Sequence, residues 1–396
     1  MAEQTRRSLL GFGMRSIGAA ALAGAARLAG QTVGGSNRSL VSIELLGGED
    51  SNNLLVPLDA ANYSVYATGR GALALARSAL RPIESGRHQA AFGFPAEMPE
   101  IASLYQRNAL AIVANVGDLP FPMSKAQYLA NPSAVPADVF EHSGNSKRTY
   151  STGAALSPSW AGAVLQQSHD EFNQRLFRFS TGLTSAAASG GWFQGTRLDD
   201  PDVLQVMKSV NVQTEFPDSG LGPLMLQAVK LAVAGPMLGI GNQIITISMG
   251  GWDTHVDELN RISRLHVDLS QALGAFYEAA QELRVWNNVT VFTSTEFNRR
   301  LAPNDSGGSD HGWGGHRLVL GGSVKGGEVY GRFPSLALGG ADDVSGQGTW
   351  LPAIASQQMA STLAGWWGLD PGTRASVFPG WSGTDLGLFS ASAAAA

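Results

Sequence analysis

The sequence predicts an α/β fold built on a mostly parallel central sheet. Three observations point to it. Apolar stretches of strand length recur at residues 40–46, 109–116, 243–249, 289–294 and 317–320. Between the third and fourth, from 257 to 286, apolar residues fall at Leu259, Ile262, Leu265, Leu269, Leu273, Phe276, Ala280 and Leu283. Steps of three and four place them on one face of a long helix, and strand, helix and strand with short connections make a right-handed parallel crossover. Finally, several strands run into Gly-rich turns that present charged residues, the device by which open α/β sheets build sites at their carboxyl edge.

The segments follow in order. Residues 1–30 read as an address: Thr5-Arg6-Arg7-Ser8-Leu9-Leu10 is a twin-arginine pattern ahead of a weakly apolar Ala/Gly-rich run from Ile17 to Ala26. That run is too short and too Gly-rich to span a bilayer, and no later stretch is long enough. A periplasmic or secreted protein is therefore expected, with the twin-arginine translocon as its partner during export and no membrane anchor once the signal is removed. Residues 31–396 are expected to form a single α/β domain. Its first strand, 40–46, ends at Gly47-Gly48-Glu49-Asp50, and a short helix at 99–107 precedes the buried strand 109–116. The Pro- and Ser-rich section at 118–160 has little periodicity and is expected as an irregular, lid-like insert, while 183–191 reads as a low-complexity linker.

Composition removes several classes of function. Apolar residues make up 44% of the chain, enough for a large core. There is no Cys, which excludes disulfides, thiolate metal sites, cysteine nucleophiles and the sulfatases that convert a Cys to formylglycine. A net charge of -5 without a basic cluster offers no footprint for nucleic acid. No glycine fingerprint for a dinucleotide follows the first strand.

The chemistry-bearing residues gather at the ends of strands. Strand 243–249 runs into Gly250-Gly251-Trp252-Asp253-Thr254-His255, and a carboxylate and an imidazole two residues apart suit a borderline divalent metal. Strand 289–294 leads to Glu296, and a Gly-rich loop holds Asp310-His311-Gly312. Each residue also has a structural reading. Asp50 fits an N-cap as well as a ligand, and Asp253 fits a cap of the long helix. Glu296 could pair with Arg299 or Arg300, and Asp310 suits an Asx turn. His266, beside Leu265 and Leu269, reads as a partly buried structural histidine.

Taken together, Gly47-Gly48-Glu49-Asp50, Asn115-Val116-Gly117, Gly250 to His255, Thr295-Glu296-Phe297-Asn298-Arg299, Asp310 to His316 and Gly321 to Gly327 resemble a large bacterial family of twin-arginine-exported proteins. That family lies within the alkaline phosphatase and sulfatase superfamily. The resemblance implies a three-layer α/β/α fold and one or two divalent ions (Zn, Mn, Ca or Mg). It carries ligand roles onto Asp50, Asp253, His255, Glu296 and His311, with Asp310 and His316 as ligands or supporting partners. Two features depart from the superfamily: the Asp-to-His spacing of two, and Glu296 where Asp-His is common. In Phe140-Glu141-His142-Ser143, Glu141 stands where relatives often carry Ser. Ser143 is then the candidate nucleophile, unless water attacks directly, and His142 a ligand or proton shuttle.

The implied activity is hydrolysis of phosphate or sulfate esters, with a small ester or a glycan as substrate. Arg148 or Arg299 would bind the anion, and Trp160, Trp192, Trp252 and Trp313 are candidates for carbohydrate stacking. The alternative is a non-catalytic, metal-stabilised binding or scaffold protein of the cell envelope.

Overall fold

The computed structural model describes residues 37–142, 176–180, 201–218, 220–239, 241–381 and 383–390. The expected leader, Ser143 and the linker at 183–191 lie outside them. Eleven strands are described: β1 Ser39–Leu45, β2 Val56–Pro57, β3 Arg81–Ser85, β4 Ala90–Phe94, β5 Leu110–Gly117, β6 Leu176–Ser180, β7 Gln243–Met249, β8 Val289–Thr295, β9 Gly315–Gly321, β10 Val329–Tyr330 and β11 Ile354–Ala355. The main sheet has the order β10-β5-β9-β8-β1-β7-β6, with β11 also beside β5, and β2, β4 and β3 form a small separate sheet.

Within the main sheet every pairing is parallel except those of β9, which runs antiparallel to both β5 and β8. β7 and β8 flank β1 on either side, so the helix between them crosses over β1. Because β9 runs the other way, its first residues lie at the edge where its neighbours end. Strand ends and one strand start therefore meet along a single edge.

Alternation along the strands supplies two cores. Val41, Ile43 and Leu45 of β1 and Leu110, Ile112 and Ala114 of β5 pack with Leu104, Met225, Val229, Ile262, Leu269, Leu273 and Phe276. These come from the helices Pro99–Gln106, Gly222–Met237 and Glu258–Glu282. On the other face, Leu40, Ala111, Val113 and Phe292 pack with Leu363, Trp366 and Trp367 of helix Ser356–Trp367. The result is a mixed α/β fold of three layers. Burying each such Leu or Phe contributes about 1.5–3 kcal/mol, which holds the strand ends in fixed register beneath the site.

Two expectations are adjusted. The long helix stops at Glu282 rather than 286. Arg284 takes a left-handed backbone (φ 58), and the turn it makes delivers Val285 and Trp286 into the core. The described part of the irregular insert carries helix Lys125–Ala130, started by a reciprocal capping box between Ser124 and Gln127. Val135 and Val139 then pin the following turns to the second core. Among the described residues, no helix is long and apolar enough to cross a membrane.

Candidate metal centre

The turn after β1 is where the site begins. Gly47 and Gly48 both have positive φ (120° and 83°). A Cβ on Gly47 would collide with the backbone of Asp253, and one on Gly48 with the Phe297 ring. Only glycine lets the three loops after β1, β7 and β8 close on one another.

Four side chains meet above that turn. Asp253 lies 3.1 Å from His255 Nε2 and 3.7 Å from His311 Nε2 through Oδ1, and 3.7 Å from His142 Nε2 through Oδ2. His142, Asp253 and His311 place one ligand atom each within 4.8 Å of one another. The Nε2 atoms of His255 and His311 are 3.0 Å apart. The group opens to solvent: the side chains of Asp253, His142 and His255 are 50, 43 and 41% exposed, and His311 25%.

Outer partners orient the rings. His311 Nδ1 lies 2.8 Å from the Phe140 carbonyl, which can only accept, so the proton is on Nδ1. His255 lies between two carboxylates, with Nδ1 3.3 Å from Asp310 Oδ1 and Nε2 3.1 Å from Asp253 Oδ1. Both rings point Nε2 at the other, beside the Asp253 carboxylate. Their Nε2 atoms thus converge on the space beside Asp253, within reach of one shared proton or one shared cation. His142 is oriented similarly, with Nδ1 3.5 Å from Glu296 Oε2, and Glu296 is itself fixed by the Gly47 N–H at 2.5 Å. A carboxylate or carbonyl behind each imidazole is the usual support of a metal-binding histidine.

The charges respond accordingly. Hydrogen bonding to Glu296 raises the His142 pKa above the ordinary value, over the opposing effect of burial. Burial lowers that of His311, and its neighbours His142, Arg299 and His255 lower it further. Burial alone would raise Asp253, but the Arg299 hydrogen bond and the nearby positive groups hold it below the ordinary carboxylate value. The site thus favours an ionised Asp253 and a neutral His311, the states a cation requires, while Glu296 favours the charged form of His142, whose proton a bound cation would displace.

The structure brings together six of the predicted residues: His142, Asp253, His255, Glu296, Asp310 and His311. It places two others elsewhere. His316 is buried in β9, where Nδ1 accepts from the Asn115 N–H at 3.1 Å and the ring stacks on Phe333. Burial lowers its pKa to about 3. Asp50 caps helix Ser51–Leu54 and pairs with buried Arg70. The capping role suggested for Asp253 goes unfilled, since Asp257 holds the N-cap position of the long helix.

Three roles read from the sequence are corrected. Arg299 is closed to solvent, and its guanidinium donates to Gly47 O, Gly48 O, Trp252 O, Ser309 O and Asp253 Oδ1. It is a clamp on three loops, not an anion receptor. Trp252 and Trp313 are 1% exposed and belong to the cores, so neither stacks on a sugar. His266 is wholly rather than partly buried, with a pKa lowered by burial to about 4. Ser143, Arg148, Trp160 and Trp192 lie outside the described residues.

Asn304 was missed by sequence reasoning. Its Oδ1 accepts from the N–H groups of Ser306 and Gly308, and its Nδ2 donates to the His255 carbonyl and to Asp310 Oδ1. It therefore sets both His255 and the carboxylate that orients it. The run Asn304-Asp305-Ser306-Gly307 carries the signal, as an Asx turn before glycine.

These features define a mixed α/β protein with a histidine–aspartate cluster at the carboxyl edge of its sheet. Residues 198–369 match the family described as "Protein of unknown function (DUF1501)". No curated protein matches the sequence. Among solved structures, the chain is similar to the C-terminal periplasmic domain of EcEptC from Escherichia coli in complex with Zn (10% identity, 73% of this chain and 74% of that one, TM-score 0.36). It is also similar to the lipoteichoic acid synthase LtaP from Listeria monocytogenes (10% identity, 80% and 74%, TM-score 0.38). A third is the PsFucS1 sulfatase from Pseudoalteromonas sp. (9% identity, 87% and 75%, TM-score 0.35).

Proposed function

We propose that this protein is an exported, metal-dependent hydrolase of phosphate or sulfate esters, acting in the periplasm or outside the cell. The observation that carries the reading is the convergence of His142, Asp253 and His311 within 4.8 Å of one another, with His255 Nε2 3.0 Å from His311 Nε2 and 3.1 Å from Asp253. His142, Asp253, His255 and His311 would hold a divalent ion. Three imidazoles and one carboxylate favour Zn, then Mn, over Ca or Mg, which prefer all-oxygen sites.

When bound, such an ion supplies Lewis-acid stabilisation of charge developing on an ester oxygen. The chain's own residues do the rest. Glu296 faces Nδ1 of His142, Asp310 faces Nδ1 of His255 and the Phe140 carbonyl accepts a hydrogen bond from Nδ1 of His311, which orients each Nε2 toward the ion site. Arg261, donating to the Asp253 carbonyl at 3.4 Å, and Arg300, donating to the His311 carbonyl at 3.2 Å, stand at the mouth and suit an anionic substrate. Ser143 is proposed as the nucleophile from its place next to His142 in the chain.

The test is elemental analysis of the purified protein beside Asp253→Ala and His311→Ala, followed by turnover of aryl phosphate and aryl sulfate esters. The proposal expects bound metal that both variants lose, and turnover that Asp253→Ala and Ser143→Ala abolish. Bound metal with no turnover of any ester would transfer support to the binding or scaffold reading. No metal in the wild type, and none taken up on addition, would sink both.

A further inference from the structure

We infer that the centre takes a single divalent ion, because Arg70 already stands as a permanent cation on Asp50, the one other carboxylate expected as a ligand that is held outside the cluster, and on its neighbour Glu258. The inference rests on reading the histidine–aspartate group as an ion site, and it concerns a different set of side chains.

Asp50, Arg70 and Glu258 are each closed to solvent. Arg70 Nη2 bridges Asp50 Oδ2 and Glu258 Oε1, the latter at 2.6 Å. Every remaining oxygen of the two carboxylates has a donor. Asp50 Oδ1 accepts from the backbone N–H and the side-chain amide of Asn52, and Glu258 Oε2 accepts from Ser309 Oγ. Nor is the guanidinium free to leave. Its Nε donates to Asn53 Oδ1, which also accepts from Tyr66, and its Nη1 donates to the carbonyls of Arg300 and Leu301.

Asn52 and Asn53 complete the arrangement. Asn52 Nδ2 donates to the Arg299 carbonyl and Asn52 Oδ1 accepts from Trp350. The Asp50–Asn53 segment is thus shaped around an arginine fork, with five planar donors matched to five groups of acceptors. A divalent ion has no free oxygen to take here and no route from solvent. The same solution recurs at Asp253, where buried Arg299 holds Oδ1 from behind. Guanidinium groups therefore occupy the oxygens of Asp50, Glu258 and the inner side of Asp253, and among the described residues one cation site is left on the open side.

The experiment uses the full chain, stripped with a chelator and titrated with Zn2+ and separately with Mn2+ by calorimetry, with elemental analysis after removal of free ion. Three variants run in parallel: Asp50→Asn, Glu258→Gln and Asp253→Ala. The expected result is one ion per chain, affinity within about threefold of wild type in Asp50→Asn and Glu258→Gln, and loss of the ion in Asp253→Ala. Two ions per chain, or a tenfold or greater loss of affinity in Asp50→Asn with its fold intact, would overturn the inference and leave the hydrolase reading standing. No ion in the wild type would remove both. If Asp50→Asn fails to fold, Glu258→Gln and Arg70→Gln decide. Arg70→Gln should show a larger ion-dependent rise in melting temperature than wild type, since it strands two carboxylates together and adds a second site to the one wild type fills, and a response identical to wild type counts against the inference.

Discussion

Arg299→Lys is the sharpest perturbation of the site's foundation. The substitution keeps the charge but replaces a planar fork by one ammonium. The native guanidinium satisfies four backbone carbonyls, of Gly47, Gly48, Trp252 and Ser309, as well as Asp253. Lysine can reach one or two of these, so about three buried carbonyls lose their donor at about 1 kcal/mol each. Asp253 is half exposed, so its ion pair adds less than about 1 kcal/mol after solvent screening. The expected cost is about 3 kcal/mol. At about 2.1 cal/mol/K per residue over roughly 360 residues, that lowers the melting temperature by about 4 °C. Calorimetric melts should be run in chelator, so that weakened ion binding does not add to the shift. Ion affinity, measured separately, should fall by about 10–100-fold as Asp253 loosens. A melting temperature within about 1 °C of wild type would refute the clamp, since it would mean that those carbonyls find water at no cost.

Other outcomes follow from the same geometry. Asp310→Asn should weaken ion binding about 10–100-fold by removing the charge behind His255. Its melting temperature in chelator should stay close to wild type, because Asp310 is nearly half exposed. His316→Phe should retain the full metal content and cost about 1–3 kcal/mol, measured by urea unfolding, since the Asn115 N–H loses its acceptor; loss of metal would return His316 to the ligand set. Glu49 is buried, neither of its oxygens has a hydrogen-bond partner among the described residues, and burial raises its pKa from 4.5 to about 8. The folded chain therefore holds an extra proton between those values, a contribution present at low pH and lost as pH rises through about 8. Glu49→Gln should gain stability relative to wild type between about pH 5.5 and 8, at up to about 1.4 kcal/mol per pH unit. A pH-independent difference between the two proteins would contradict that protonation.

The parts of this molecule that sequence reveals are those with local causes. A β-rich apolar run that ends in Gly-Gly says both strand and exit turn, which makes Asp253 and His255 legible from the sequence, and the apolar run 289–294 does the same for Glu296. His142 carried a weaker signal and is nonetheless in the group. His316 was misread because the last strand was started at Arg317. It begins at Gly315, which pairs with Val116, so His316 is a strand residue and its ring faces Phe333 instead of the loop cluster. Arg70 was invisible for a different reason. It ends helix Ala60–Arg70, where a basic residue needs no explanation beyond the helix dipole. Its partner Glu258 is 188 residues away, and nothing local announces a contact of that range.

The two buried arginines also explain how a half-exposed cluster keeps its shape. Loops ordinarily pay for precision with entropy, and here the candidate ligands sit on three of them, after β5, β7 and β8, packed over the turn after β1. Arg299 ties Gly47 and Gly48 to Trp252, Asp253 and Ser309, while Arg70 ties Asp50 to Glu258, Arg300 and Leu301. Each guanidinium thus spans segments that are distant in the chain, and each is buried beneath the residues it positions. Lysine offers three donors from one point and cannot bridge carbonyls on several loops at once. Side chains above the clamps are then left with one task, to present lone pairs and a carboxylate to solvent in a geometry already fixed from below.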